Sequence, residues 1–451
     1  MWIKIKYKDI NEKTIILPIE LKKKFKKSVQ LTFAKKMTKV NVEYSKNLQY
    51  NKSSSFENPL IIYMSKDLKS SLLIPNSQIY QSKFYKNNFS LGPVIGFMIS
   101  EKQVGRSRHM KKYLDRFGIY NKIGGLIFAF SPEGIVWDEN IVFGKYYNIK
   151  KKKWKRGVFP IPEVIYSRNF HQSQDFINNL TKITNGKLFN SYRFSKYELF
   201  KMVSQDLMLA KNLPATEEIK SFKQFKDFAD IHQKIILKPN NLSRGRGICI
   251  LEKKYGHYFI NDYRKKKSFG IILNGEDELF NFYKKNTEFH ENYLIQKYLN
   301  LAKVNDSVFD IRVVVQKEKK DEWKITGIEC RVAKIKTLIT NISRGGYALE
   351  LDKALESAFQ NKEIVASLTE KIHDYCLNLC SFLDNRGEHY AEFGLDIGVD
   401  IDQNIWVIEA NVFPSFKGFK QIDYDTYLNI RYTPLLYCLS LTEFASGKEE
   451  L

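Results

Sequence analysis

The sequence predicts a multidomain chain of mixed α+β and α/β class, with an N-terminal β-rich domain at residues 1–88, a small α/β domain at 89–188 and a larger α+β domain at 189–451. Three observations lead there. A chain of 451 residues with 43% apolar content is too long for one core and divides into two to four domains. Its hydrophobic pattern changes from short alternating runs, to buried apolar runs around a basic helical stretch, to helices and strands in mixed order. Gly- and Pro-bounded segments mark the changes.

The first eight residues, Met1-Trp2-Ile3-Lys4-Ile5-Lys6-Tyr7-Lys8, alternate apolar and basic as a strand does. Val40-Asn41-Val42-Glu43-Tyr44 and Leu60-Ile61-Ile62-Tyr63 read the same way, with the polar cluster Asn51-Lys52-Ser53-Ser54-Ser55 between them. The opening lacks the unbroken apolar stretch of a signal peptide, so none is expected. The α/β unit opens at Leu91-Gly92-Pro93-Val94-Ile95-Gly96-Phe97-Met98-Ile99, read as one buried strand, followed by a basic helix near 106–117 and a strand at 124–130. Residues 157–166 hold Pro160 and Pro162, which exclude a helix. Beyond residue 190 the spacing predicts a helix over 195–211, strands at 235–238, 293–299, 310–315 and 323–331, and a long helix at 362–384. Residues 393–399 and 405–409 form a hairpin turned at Asp402-Gln403-Asn404.

No apolar run approaches the roughly 18–20 residues of a membrane-spanning helix. Cys249, Cys330, Cys376, Cys380 and Cys438 sit mostly in apolar segments, as buried thiols of a reducing compartment do, and no His or Cys completes a zinc set around Cys376 and Cys380. A formal charge of +23 arises from 73 basic and 50 acidic residues, with clusters at Lys22-Lys23-Lys24, at 150–156 and at Arg264-Lys265-Lys266-Lys267. Such a field attracts polyanions. A lysine-rich solvated surface accounts for it better than a dedicated nucleic-acid site does, with nucleotide, phosphorylated substrate or anionic polymer as compatible partners. No aromatic stacking module or helix-turn-helix pattern marks a nucleic-acid binder.

Three constellations carry chemistry. Lys238-Pro239-Asn240-Asn241-Leu242-Ser243-Arg244-Gly245-Arg246-Gly247 lies between two strands, where its glycines let backbone N–H groups approach phosphate and Lys238 ends a strand as a fixed ammonium. Asp396 on one strand of the hairpin, with Glu409 and Asn411 two apart on the other, can share a face as oxygen ligands for Mg²⁺. Arg312 and Arg331 each lie in an apolar strand frame and are either structurally paired or aimed at phosphate.

In this order over residues 190–420, these motifs resemble an ATP-grasp domain close to the RimK-like carboxylate–amine ligases, preceded by a small pre-ATP-grasp-like α/β domain. The resemblance implies that Lys196 and Lys238 bind phosphate, with Lys201 as competitor for the first role, and that the loop with Ser243, Gly245 and Gly247 covers it. In Ile295-Gln296-Lys297-Tyr298-Leu299 it implies that Lys297 and Leu299 meet adenine, with Gln296 replacing the usual acid. It implies Arg312, Arg331 and Asn341 as catalytic residues, the last in a substrate-covering loop, and Asp396, Glu409 and Asn411 as ligands of Mg²⁺, or of Mn²⁺ in its place. Pro414 is followed by Ser415 where the family often has glycine.

The whole chain, including Phe159-Pro160-Ile161-Pro162-Glu163-Val164-Ile165-Tyr166-Ser167-Arg168, further resembles the YheC/YheD family of endospore coat-associated proteins. That resemblance implies ATP as cofactor, spore-coat partners, and a place in the mother-cell cytoplasm or the coat. The expected reaction joins a small-molecule or peptide carboxylate, activated as an acyl phosphate, to an amine. The alternative is an ATP-binding, non-catalytic structural coat protein.

Overall fold

The computed structural model describes residues 1–242, 246–264, 269–319, 322–334 and 345–445. The first seven strands, β1 (Trp2–Lys8), β2 (Thr14–Pro18), β3 (Ser28–Phe33), β4 (Lys36–Ser45), β5 (Leu60–Ser65), β6 (Ile79–Tyr85) and β7 (Asn88–Gly92), close into a barrel of order β1-β5-β2-β4-β3-β7-β6. Alternation puts Ile3, Ile5, Val29, Leu31, Phe33, Ile62 and Phe89 inside it.

The apolar run at 91–99, read as one strand, is two. Its first part ends the barrel, and β8 (Val94–Met98) starts a second sheet. Pro93 supplies no N–H to a ladder, so it separates them. The second sheet continues with β9 (Leu126–Val136), β10 (Ile141–Asn148), β11 (Lys153–Pro160), β12 (Val164–Ser167) and β13 (Leu188–Phe189), in the order β11-β10-β9-β8-β12-β13. Strands β9, β8, β12 and β13 run parallel. The helix expected near 106–117 is a short helix, Ser107–Lys111, followed by a 3₁₀ turn, Leu114–Ile119.

The third sheet, order β14-β19-β15-β16-β17-β18, comprises β14 (Thr216–Glu218), β15 (Lys234–Pro239), β16 (Cys249–Lys254), β17 (His257–Asp262), β18 (Phe269–Asn274) and β19 (Tyr293–Lys297). The fourth has β20 (Lys303–Val304) paired to β21 (Ser307–Lys317), and continues with β22 (Trp323–Val332), β23 (Tyr347–Leu349), β24 (Glu392–Val399) and β25 (Ile405–Asn411), in the order β23-β22-β21-β24-β25. Helix Lys362–Asp384 lies where its spacing predicts, burying Leu368, Ile372, Tyr375, Cys376, Leu379 and Leu383 in the core it shares with this sheet. The β24–β25 turn is held by Asp400, whose Oδ1 accepts from the N–H of Asp402 at 3.0 Å and of Asn404 at 2.9 Å. All five cysteines are buried and free. Among the described residues, no helix is long and apolar enough to cross a membrane.

The second and fourth sheets are joined through Glu392. This fully buried carboxylate accepts from Tyr166 at 2.8 Å, Arg168 at 2.9 Å and Gln316 at 2.6 Å. A buried carboxylate so satisfied is costly to lose. Asn190 adds side-chain bonds to the carbonyls of Glu392 and Val412 at 3.0 and 3.1 Å. Both contacts fix the carboxyl ends of β12 and β13 beside the fourth sheet.

Candidate functional site

Between the third and fourth sheets lies a cleft of about 420 Å³. Side chains of β15, β16 and β19 form one wall; β21, β22, β24 and β25 form the other. Ten sequence-predicted residues line it together: Lys196, Lys238, Gln296, Lys297, Leu299, Arg312, Arg331, Asp396, Glu409 and Asn411. Ser243, Gly245 and Asn341 lie outside the described residues, as do Lys265, Lys266 and Lys267.

Lys196 is the first residue of helix Lys196–Val203, whose start is set by a capping box: the Glu198 N–H donates to Ser195 Oγ at 3.2 Å and the Ser195 N–H to Glu198 Oε2 at 2.6 Å. The helix is shorter than the predicted 195–211. Asp206 Oδ1 accepts from the N–H of Met208 and Leu209, both at 2.9 Å, and starts a separate 3₁₀ turn, Leu209–Asn212. Lys196 donates to the carbonyls of Asn240 and Leu242 and stands 3.9 Å from Glu409. Lys201, the competitor, is exposed against the Tyr197 ring and does not line the cleft.

Lys238 points into the same cleft from β15. Burial, with Lys196 close by, pushes its ammonium down to about 7. Burial likewise lowers Lys196, opposed by Glu409 and assisted by Arg193. Lys238 donates to Gln296 Oε1 at 2.8 Å, while Gln296 Nε2 donates to Thr216 Oγ1 at 2.6 Å. The residue at 296 therefore orients a lysine, and being neutral it leaves the ammonium's charge uncancelled. Gly247 has φ +77°, and a Cβ there would lie 2.6 Å from Pro239 Cγ, so the loop's exit requires glycine.

The opposite wall is an ionic lattice built by strand register. Asp310 faces Arg331, Arg312 faces both Glu329 and Asp396, and Asp396 faces Glu409. Asp396 receives Arg312 Nε at 2.6 Å and Nη2 at 3.1 Å, and Arg331 Nη2 at 2.9 Å. Arg331 also grips Asp310, at 2.6 and 2.8 Å. Burial pushes the Asp396 carboxyl up, but the two guanidiniums outweigh it and hold it below the usual range. Of the two alternatives for these arginines, structural pairing is formed, and both side chains also line the cleft.

Sequence reasoning missed four participants. Asp310 carries a visible signal, its two-residue spacing from Arg312 on one strand. Glu329 is 1% exposed, its Oε2 has no hydrogen-bond partner among the described residues, and burial, against the pull of Arg312 and Arg331, pushes its carboxyl up to about 7. Phe170 and Arg193 enter the cleft from loops after β12 and β13. Arg193 lies three residues before Lys196, but Phe170 has no sequence signal.

With this cleft in place, a family profile described as YheC/D like ATP-grasp matches residues 185–441. The chain belongs to the YheC/D-like ATP-grasp family. Endospore coat-associated protein YheD of Bacillus subtilis (strain 168) is 24% identical over 428 residues, covering 91% of this chain and 89% of that protein. Endospore coat-associated protein YheC of the same organism is 25% identical over 367 residues, covering 78% and 97%. Among solved structures, a Chryseobacterium gregarium RiPP-associated ATP-grasp ligase in complex with ADP and a leader and core peptide aligns with TM-score 0.38 at 12% identity, covering 76% of this chain and 96% of that one. In this ATP-grasp chain, the cleft between the third and fourth sheets is where ten of the residues singled out from the sequence converge.

Proposed function

We propose that the protein is an ATP- and Mg²⁺-dependent ligase that activates a carboxylate as an acyl phosphate for attack by an amine or similar nucleophile, in association with the endospore coat. One observation carries this reading: two lysines on one wall of a single cleft face a lattice of two arginines and two aspartates on the other. The coat association draws on the names of the two Bacillus relatives.

Lys196 and Lys238, with the 241–247 loop, hold the phosphates. Ile236, Ile250 and Ile408 give the base apolar walls, and Gln296, Lys297 and Leu299 border its edge. The N–H groups of Lys297 and Tyr298 already donate to the carbonyls of Ala215 and Lys234 at 2.9 and 3.1 Å, so the donor left for adenine on this strand end is Leu299 N–H. Asp396, Glu409 and Asn411 fit a hard cation: all offer oxygens, two are carboxylates directly opposed across β24 and β25, and a carboxylate that binds a guanidinium retains lone pairs. Held there, Mg²⁺, or Mn²⁺, would supply positive charge beside the phosphates of ATP.

The substrate carboxylate attacks the γ-phosphorus in line, the bond to the ADP oxygen breaks, and the amine then displaces inorganic phosphate from the acyl phosphate. Arg331 and Arg312, with Asn341, offset the developing negative charge. One cation at about 4 Å from one phosphate charge contributes roughly 4 kcal/mol at an effective dielectric near 20.

The test is the thermal midpoint with ATP and Mg²⁺, with ATP and chelator, and with GTP and Mg²⁺. A rise that requires ATP and Mg²⁺ together and vanishes in Lys238→Ala is expected; no rise refutes the site. The relatives' names describe a coat association and no reaction, which favours a second reading, ATP binding without turnover. ADP release with a panel of carboxylates and amines separates the two.

A further inference from the structure

We infer that the cleft contains a second anion subsite at Arg193, which selects a substrate bearing a carboxylate besides the one that reacts. The substrate class is then a di- or polycarboxylic acid, free or as an acidic peptide. This rests on the ligase reading of the cleft and adds the chemistry of its acceptor side.

Topology places the subsite. From β8 the chain crosses to β9 on one side, whereas from β12 it crosses to β13 on the other, so strand direction of travel reverses between β8 and β12. In parallel sheets ligands bind outside the carboxyl ends of strands at such a reversal. Phe170 follows the carboxyl end of β12, Arg193 follows that of β13, and both line the cleft that holds Arg312 and Arg331.

Charge and packing identify the ligand. Arg312 and Arg331, paired with Asp396 and Asp310, and Lys196, bonded to loop carbonyls beside Glu409, already have places at the reacting end. Among the described residues, no hydrogen bond or ion pair of the exposed Arg193 is formed. Its guanidinium lies 5.5 Å from the centre of the Phe170 ring, which packs 3.9 Å from that of Phe413, and Arg168 lies 4.9 Å from Phe413. Arg168 is anchored by Glu392, so the pair of rings with a cation at each end is tied to the core and ends at Arg193. A guanidinium that lies beside a ring and has no hydrogen-bond partner keeps its N–H groups for a planar oxyanion. One such edge beside apolar rings suits a carboxylate on a hydrocarbon arm better than a phosphate dianion, which calls for several donors. Phe413 is two residues from Asn411, so the stack begins beside the reacting end.

The experiment titrates glutarate, its monoamide glutaramate, the dipeptide Glu-Glu and the dipeptide Gln-Gln into wild type, Arg193→Ala and Arg193→Lys by calorimetry, alongside the midpoint shift with ATP and Mg²⁺. Wild type is expected to prefer each acid over its amide by about tenfold, the scale of one charge-assisted hydrogen bond. Arg193→Ala loses the preference and Arg193→Lys keeps part of it; the tighter of glutarate and Glu-Glu tells whether the source is a free acid or a peptide. No binding, equal binding of acid and amide, or an undiminished preference in Arg193→Ala overturns the subsite. A nucleotide shift lost in Arg193→Ala assigns Arg193 to the phosphates and overturns it as well. Absence of that shift in wild type refutes the ATP reading alone, because the acid preference still judges Arg193.

Discussion

Replacing Lys238 with methionine should make the protein more stable while removing its response to nucleotide. The ammonium sits in the cleft with its pKa driven from the usual lysine value to about 7, chiefly by burial and then by Lys196. A displacement of that size corresponds to roughly 4–5 kcal/mol against holding the charge. Methionine preserves most of the stem's packing and removes this cost, but Gln296 Oε1 loses its 2.8 Å donor, a penalty of ~1 kcal/mol. Partial solvent access weakens the first figure further, leaving a net gain of ~1–3 kcal/mol and a midpoint higher by about 1–3 °C. The sign of the pH dependence follows from a lysine whose folded pKa is lowered. The wild-type penalty is full below about 7 and disappears as pH rises towards the unfolded value near ~10.4. The advantage of Lys238→Met is therefore greatest at pH 6.5 and smaller at pH 9. Thermal melts of both proteins at these two pH values, with and without ATP and Mg²⁺, measure it. A variant that melts below wild type at pH 6.5, or a difference that stays constant with pH, would refute the reasoning.

Asp396→Asn leaves two buried guanidiniums short of a counter-charge and should cost about 3–5 kcal/mol, seen as a lower denaturation midpoint. Glu409→Gln removes only a 3.9 Å contact to Lys196, so its midpoint should move by less than ~1 kcal/mol while metal-dependent ADP release is lost. Glu329→Gln should stabilise the protein at pH 8.5 and not at pH 4. The wild-type carboxyl, raised to about 7, is held charged at a cost above that value and is neutral in both states below ~4. Gln296→Glu places a carboxylate against Lys238 and should raise that lysine's pKa, so that ATP affinity, expected to fall in wild type above about pH 7, stays level to higher pH when measured by calorimetry.

Where the controlling interactions were local, the sequence was readable. The long helix at Lys362–Asp384 follows its apolar spacing, and the alternation around Asp396, Glu409 and Asn411 is enough to put the three on one face of a hairpin. Lys238 at the end of an apolar strand is legible for the same reason. Local pattern misled where two elements of different sheets adjoin, as at Gly92-Pro93-Val94, because both are apolar and only their partners differ. It misled again after Val203, where the Asp206 side chain recruits the backbone that helical spacing had claimed.

Composition, periodicity and motif order thus determined the classes of element, the mixed fold and six residues of one cleft, and the family resemblance added Lys196, Gln296, Lys297 and Leu299. Tertiary structure alone decided their partners: Arg312 with Asp396 across 84 residues, Gln296 with Lys238 across 58, and Arg168 with Glu392 across 224, the pairing that brings Phe170 and Arg193 to the cleft. Alternation reports which way a side chain points within its own strand, whereas which charge waits opposite depends on sheet register and docking between distant segments.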